Sequence, residues 1–126
     1  MITIRQYIED DELLINPVEG IEWNPDYTVH LHTILYDRKP LGIAGVEYHG
    51  GEYYVGAYTD QRAIDHPLYY LKAVKSLITK YIASPDIPQL ITMMKPDSIH
   101  IRWIELLGFV KSDSAYAGWY QYEYTG

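Results

Sequence analysis

Cysteine is absent from the 126 residues. That excludes a disulfide framework, thiolate zinc sites and a cysteine nucleophile, and it fits a reducing compartment. Basic residues are scarce: ten Lys and Arg stand against seventeen Asp and Glu, for a formal net charge of −7. Nucleic acid and anionic membranes require clustered positive charge, so neither is expected as a partner, and a protein or a small molecule is. No apolar run approaches the ~20 residues needed to cross a bilayer. The start Met1-Ile2-Thr3-Ile4-Arg5-Gln6-Tyr7 lacks the basic-then-apolar layout of a signal peptide, so the expected compartment is the cytoplasm. Phenylalanine is nearly missing, with one Phe to fourteen Tyr. Tyrosine combines a large apolar body with a polar tip, which serves half-buried strands and interfaces alike.

What is present fits one domain spanning 1–126: 48% of the residues are hydrophobic, enough for one core. Ile2 and Ile4 alternate with Thr3 and Arg5, the pattern of a short strand. Glu9-Asp10-Asp11-Glu12 before Leu13-Leu14-Ile15 predicts a helix with acids at its N-terminus, stopping near Pro17. Residues 16 to 26 read as an irregular connector. Three strands follow, over Tyr27 to Tyr36, Leu41 to Tyr48 and Glu52 to Thr59, with turns at Asp37-Arg38-Lys39-Pro40 and His49-Gly50-Gly51. Leu71, Val74, Leu77, Ile78, Tyr81 and Ile82 recur at helical spacing, while Lys72, Lys75 and Lys80 read as the solvated side. A strand at Gln89 to Met94 then precedes a helix capped by Asp97 or Ser98 and ended by Gly108. Phe109 to Lys111 and Ala117 to Tyr124 are expected as two last strands around a polar turn.

This order of elements resembles that of the GNAT N-acetyltransferases over essentially the whole chain. The segment Asp97-Ser98-Ile99-His100-Ile101-Arg102-Trp103-Ile104-Glu105-Leu106-Leu107-Gly108-Phe109 is similar to the GNAT signature helix that ends in Leu-Gly-Phe. The resemblance implies an α/β (α+β) GNAT acyl-CoA N-acyltransferase fold, a central mixed seven-stranded sheet flanked by helices, with acetyl-CoA as cofactor. Thr59-Asp60-Gln61 and His100-Ile101-Arg102-Trp103 are further similar to the small GNAT-like proteins of short-tailed bacteriophages, of the internal virion protein A type. That implies a phage origin, with action in the bacterial host cytoplasm or in the virion.

The GNAT loop after the third meander strand follows Gln/Arg-x-x-Gly-x-Gly/Ala, and its N–H groups cradle the CoA pyrophosphate at a helix N-terminus. Here the loop reads Gln61-Arg62-Ala63-Ile64-Asp65-His66-Pro67. Both glycines are missing, Asp60 and Asp65 bring carboxylates, and Pro67 removes a donor. The family's general acid, a Tyr four residues before the helix-ending glycine, falls at Ile104. Acetyl-CoA is therefore expected to bind weakly or not at all. If it binds, Ala57, Tyr58 and Thr59 would hold it by backbone, with Gln61 and Arg62 near the phosphates.

His100, with Asp97 beside it, is the candidate substitute acid, and Glu47, Tyr48 or Glu52 are candidate bases. His30 and His32 share a strand face, but without a third ligand no metal site is expected. The last strand sets Tyr120, Tyr122 and Tyr124 on one side and Trp119 on the other. One side packs on the core, and the other, with Tyr53 or Tyr54 and Tyr58, is expected as an aromatic surface for a host protein, a virion protein or a second copy. The leading expectation is a GNAT-like protein with lost or altered acetyl transfer that binds a protein. The alternative is an active acetyltransferase for a protein amine.

Overall fold

The computed structural model describes residues 2–17 and 28–125. The connector expected at 16 to 26 lies largely outside the described residues, as does Tyr27. Seven strands form one sheet in the order β1-β2-β3-β4-β5-β7-β6: β1 (Ile2–Gln6), β2 (Thr28–Tyr36), β3 (Lys39–His49), β4 (Glu52–Thr59), β5 (Ile91–Met94), β6 (Phe109–Tyr116) and β7 (Trp119–Tyr124). Helix α1 (Pro67–Ile82) joins β4 to β5, and α2 (Ile101–Leu106) joins β5 to β6. Neighbours run antiparallel except β4 and β5, which are parallel. A parallel pair needs a crossover, and α1 supplies it.

The turns follow from residues that tolerate left-handed backbone. Gly50 and Gly51 close β3 to β4 at φ 56° and 87°, which suits a two-residue hairpin. Asp37 and Arg38 close β2 to β3 at φ 48° and 70°, so Lys39 and Pro40 belong to β3 rather than to the turn. The expected polar turn before β7 is displaced: β6 runs through Tyr116, and Ala117 and Gly118 make the turn at φ 49° and 85°.

Helix α1 lies on one face of the sheet and buries Tyr70, Ala73, Val74, Leu77, Ile78 and Tyr81. Ile34, Ala44 and Val46 from the sheet meet it, and Ile104, Leu107, Phe109 and Tyr122 complete the same core. Burial of each large apolar side chain is worth about 1.5–3 kcal/mol. Two assignments on α1 change. Ile82 is exposed, while Tyr70, outside the aliphatic pattern, is 1% exposed and among the largest side chains of the core.

The segment after β1 is not the expected α-helix but a 3-10 helix, Glu9–Leu14, that leaves Leu13 and Leu14 exposed. The cause is Asp11, which turns inward. Its carboxylate accepts from Arg5 Nη1 and Nη2 at 2.8 and 2.7 Å, from Thr33 Oγ1 at 2.5 Å and from the N–H of Ile8 at 3.1 Å. Arg5 and Thr33 oppose each other across β1 and β2, so the acid ties this segment to the sheet face away from α1.

The Arg5 hydrogen bonds, aided by Thr33 and the Ile8 N–H and opposed by burial, hold the Asp11 carboxyl down at about 2. A carboxyl below its ordinary value stabilises the fold above the unfolded-state pKa, and that contribution is lost as pH falls through the folded one. Asp11→Asn is expected to lower the unfolding free energy by roughly 2 kcal/mol at neutral pH. Urea denaturation should also show a flatter loss of stability between about pH 4 and about pH 2. Leu77→Asp, at a site 3% exposed, is expected to abolish cooperative thermal melting, because it buries an unpaired charge.

Candidate functional site

The two halves of the sheet meet at β4 and β5, where the ladder among the described residues is the one pair Tyr54↔Ile91. Beyond it no further pair joins the two strands among the described residues, and Ala57, Tyr58 and Thr59 lie along this unpaired stretch of β4, paired on the other side with Ala44, Ile43 and Gly42. The sequence-selected backbone residues thus line an opening in the sheet.

At the end of that opening the loop is held by its own carboxylate. Asp60 is 3% exposed. One oxygen accepts from the N–H of Asn16 at 2.8 Å, and the other from the N–H and the Nε of Arg62, both at 2.8 Å. Arg62 Nη2 donates to the carbonyl of Pro40 at 2.7 Å. Burial would raise the Asp60 carboxyl, yet the bonds from Arg62 and the N–H groups of Asn16 and Arg62 hold it below the usual carboxylate range. It is therefore an anion at neutral pH. The chain from Gln61 to Asp65 winds into a 3-10 turn, while Gln61 and Asp65 are exposed. Of the two residues expected near a pyrophosphate, Arg62 is committed to an internal anion and Gln61 N–H to the carbonyl of Asn16 at 2.9 Å.

Aromatic side chains pack on the α1 side of the opening. Thr59 Oγ1 and Tyr70 Oη lie 3.0 Å apart, the Tyr70 and Trp103 rings are 5.8 Å apart, and His100 meets Trp103 edge-on at 5.5 Å. Burial pushes the Tyr70 hydroxyl up to about 12, so it stays protonated. His100 is buried, and its N–H donates to Ser98 Oγ at 3.1 Å. Asp97 is exposed, so the two do not form a buried acid–base pair, and Ser98 rather than Asp97 bonds the backbone before α2. Ile104, at the position of the family acid, is a core residue.

The other candidates scatter. Glu47 pairs with His49 at 2.8 Å, Glu52 accepts from Tyr54 at 2.6 Å, and the Tyr48 ring is tilted against Tyr53 at 5.0 Å, all at the far end of the meander. His30 and His32 both lie against the Tyr81 ring, at 5.6 and 5.8 Å. Among the described residues no group of three His, Cys, Asp or Glu could hold a metal. On β7 the alternation resolves inward for three positions: Tyr122 is 4% exposed, and Tyr120 and Tyr124 pack against the core. Tyr120, Tyr122 and Tyr124 are therefore not an exposed aromatic set. Trp119 faces the other way, 37% exposed, with Lys95 Nζ 5.2 Å from its ring centre.

Solved acetyltransferases share this architecture. An acetyltransferase from Agrobacterium tumefaciens aligns at TM-score 0.70 and 13% identity, over 99% of this chain and 91% of that one. A Bacillus anthracis structure assigned as a streptothricin acetyltransferase, in complex with acetyl coenzyme A, aligns at 0.68 and 10% identity over 100% and 99%. A Bordetella pertussis structure assigned to the GnaT-family acetyltransferases aligns at 0.59 and 16% identity over 76% of this chain, which spans 65% of that one. No protein-family model and no curated protein sequence matches the chain. The fold is the GNAT acyl-CoA N-acyltransferase fold. At such identities the likeness is one of scaffold, and the residues must decide the chemistry.

Two substitutions check the packing at the opening. A Cβ on Gly42 would strike the Tyr70 hydroxyl and lie 2.9 Å from ring atoms Cε1 and Cζ. Gly42→Ala is therefore expected to cost about 1–3 kcal/mol in chemical denaturation, with part recovered in Gly42→Ala/Tyr70→Phe. Arg62→Ala is expected to lower the melting temperature and to cost roughly 1–3 kcal/mol, because Asp60 loses donors while staying buried. A surface arginine reserved for a ligand would leave the melting curve unchanged.

Proposed function

We propose that this chain is a GNAT-fold protein of bacteriophage type that has lost acetyl transfer and acts in the host cytoplasm by binding another protein. The observation that carries this reading is the Asp60 carboxylate in the loop after β4, which takes up the Arg62 N–H and guanidinium that a pyrophosphate would need. An anion already held there repels a second one and leaves it fewer donors. Thr59-Asp60-Gln61 and His100 to Trp103, the residues similar to the phage proteins, are those that bond and pack around the opening. A protein partner is supported by apolar exposure on the two segments joined at Asp60. Leu13 and Leu14 are exposed on one, and Ile64, Leu68 and Tyr69 on the other. Exposed apolar side chains gathered beside a site favour protein contact.

A second reading, an acetyltransferase for a protein amine, is favoured by the parted strands and by the N-terminus of α1 at Pro67, which has no side-chain cap. Calorimetry with acetyl-CoA separates the two. No saturable heat is expected at millimolar coenzyme, whereas a dissociation constant near micromolar would establish the second reading. For the partner, Leu68→Ser/Tyr69→Ser and Trp119→Ser are to be compared with wild type in pull-downs from host lysate and on a sizing column. Loss of the captured protein at unchanged melting temperature is expected, and identical captures and masses would refute the binding surface.

A further inference from the structure

A concave site of about 480 Å³ lies at the opposite edge of the sheet, between β1 and α1. That volume is within the range of small-molecule sites. Ile4 and Leu77 supply apolar wall, Gln6, His32, Ser76 and Lys80 supply polar groups, and Arg5 lines the site with its guanidinium held by Asp11. None of these residues is acidic, in a chain of net charge −7. Arg5 already faces Asp11, so the uncompensated charge is that of Lys80, which forms no ion pair among the described residues.

The hydrogen bonds of Tyr81 fix the chemistry of His32. The Tyr81 hydroxyl donates its one proton to the carbonyl of Ala44 at 3.2 Å, and the same oxygen lies 3.2 Å from His32 Nδ1. Nδ1 must therefore carry the proton, and Nε2 is the acceptor of the neutral ring. Burial, then the charges of Lys80 and His30, hold His32 below the usual histidine range, so the ring is neutral at neutral pH. Nε2 has no protein partner among the described residues.

The pocket thus offers an ammonium beside a hydrogen-bond acceptor, with the hydroxyl of Ser76 and the amide of Gln6 in the same lining. A simple anion satisfies Lys80 and leaves Nε2 facing a lone pair. A neutral alcohol does the reverse. We propose that this pocket binds a small oxyanion bearing its own O–H group, of which hydrogen phosphate is the simplest member. The negative oxygens face Lys80, and the O–H donates to His32 Nε2. The site is separate from the opening between β4 and β5, so it stands whether or not acetyl-CoA binds.

The test is a titration of the full chain, with histidine ring nitrogens observed by NMR. Inorganic phosphate is the probe, and sulfate, which has no O–H at neutral pH, is the control. Phosphate is expected to shift the His32 signals saturably, with sulfate at least ~10-fold weaker, a difference of about 1.4 kcal/mol. Lys80→Ala, at an exposed position, is expected to abolish the shift while the melting temperature stays unchanged. Lack of a saturable phosphate shift, equal affinity for sulfate, or undiminished binding by Lys80→Ala would each overturn the proposal.

Discussion

The buried carboxylate of Asp60 is the contact on which the arrangement around the opening depends. Its own N–H donates to the carbonyl of Leu41 at 2.7 Å, while its side chain holds Asn16 and Arg62, and Arg62 reaches the carbonyl of Pro40. One residue thereby joins the start of β3, the end of β4, the 3-10 turn before α1 and the segment that follows the first 3-10 helix. A buried anion is tolerated because both of its oxygens have donors, one of them charged. The same completeness leaves little for a bound phosphate to do. Asp11 repeats the device within the first turn of the first 3-10 helix, with Arg5 and Thr33 as donors. The two acids pin both ends of a segment whose leucines point away from the core.

Much of the fold was legible because it depends on periodicity and turn chemistry. The β-branched and apolar content of the meander strands, the glycine pair at 50 and 51, and the spacing of Val74, Leu77, Ile78 and Tyr81 each reflect local rules that the tertiary structure obeys. The failures have physical causes. Glu9 to Leu14 read as a helix headed by acids, but Asp11 turns inward to Arg5, the N–H of Ile8 and the buried Thr33, and Leu13 and Leu14 are left exposed. Tyr70 was invisible to an aliphatic pattern, because its burial depends on Gly42 of β3, which leaves room for the ring. The polar pair Ser112-Asp113 suggested a turn, yet it sits within the outermost strand of the sheet, where polar side chains cost little.

The site was half legible. Loss of the loop glycines and of the family tyrosine could be read directly, since each is a residue type at a position. The consequence of Asp60 could not. An exposed acid in that loop would merely repel a pyrophosphate, whereas a buried one takes up the donors, and burial belongs to the assembled chain. The surface reading of β7 turned on a single bit of information, which face of the strand meets α1. Alternation guarantees that Trp119 and the tyrosines part company but does not say which goes inside.

Among the described residues β4 and β5 share one backbone pair, so the sheet has two pieces, β1 to β4 and β5 to β7, that are also joined through the common core. A coenzyme lying in such a seam acts as mortar, and a protein built around one becomes sturdier as the coenzyme pool rises. Here the contact of Tyr70 on α1 with Trp103 on α2 supplies mortar from the chain itself. Side chains do not dissociate or vary with the metabolic state of a cell. That contact persists whatever the surrounding metabolite supply.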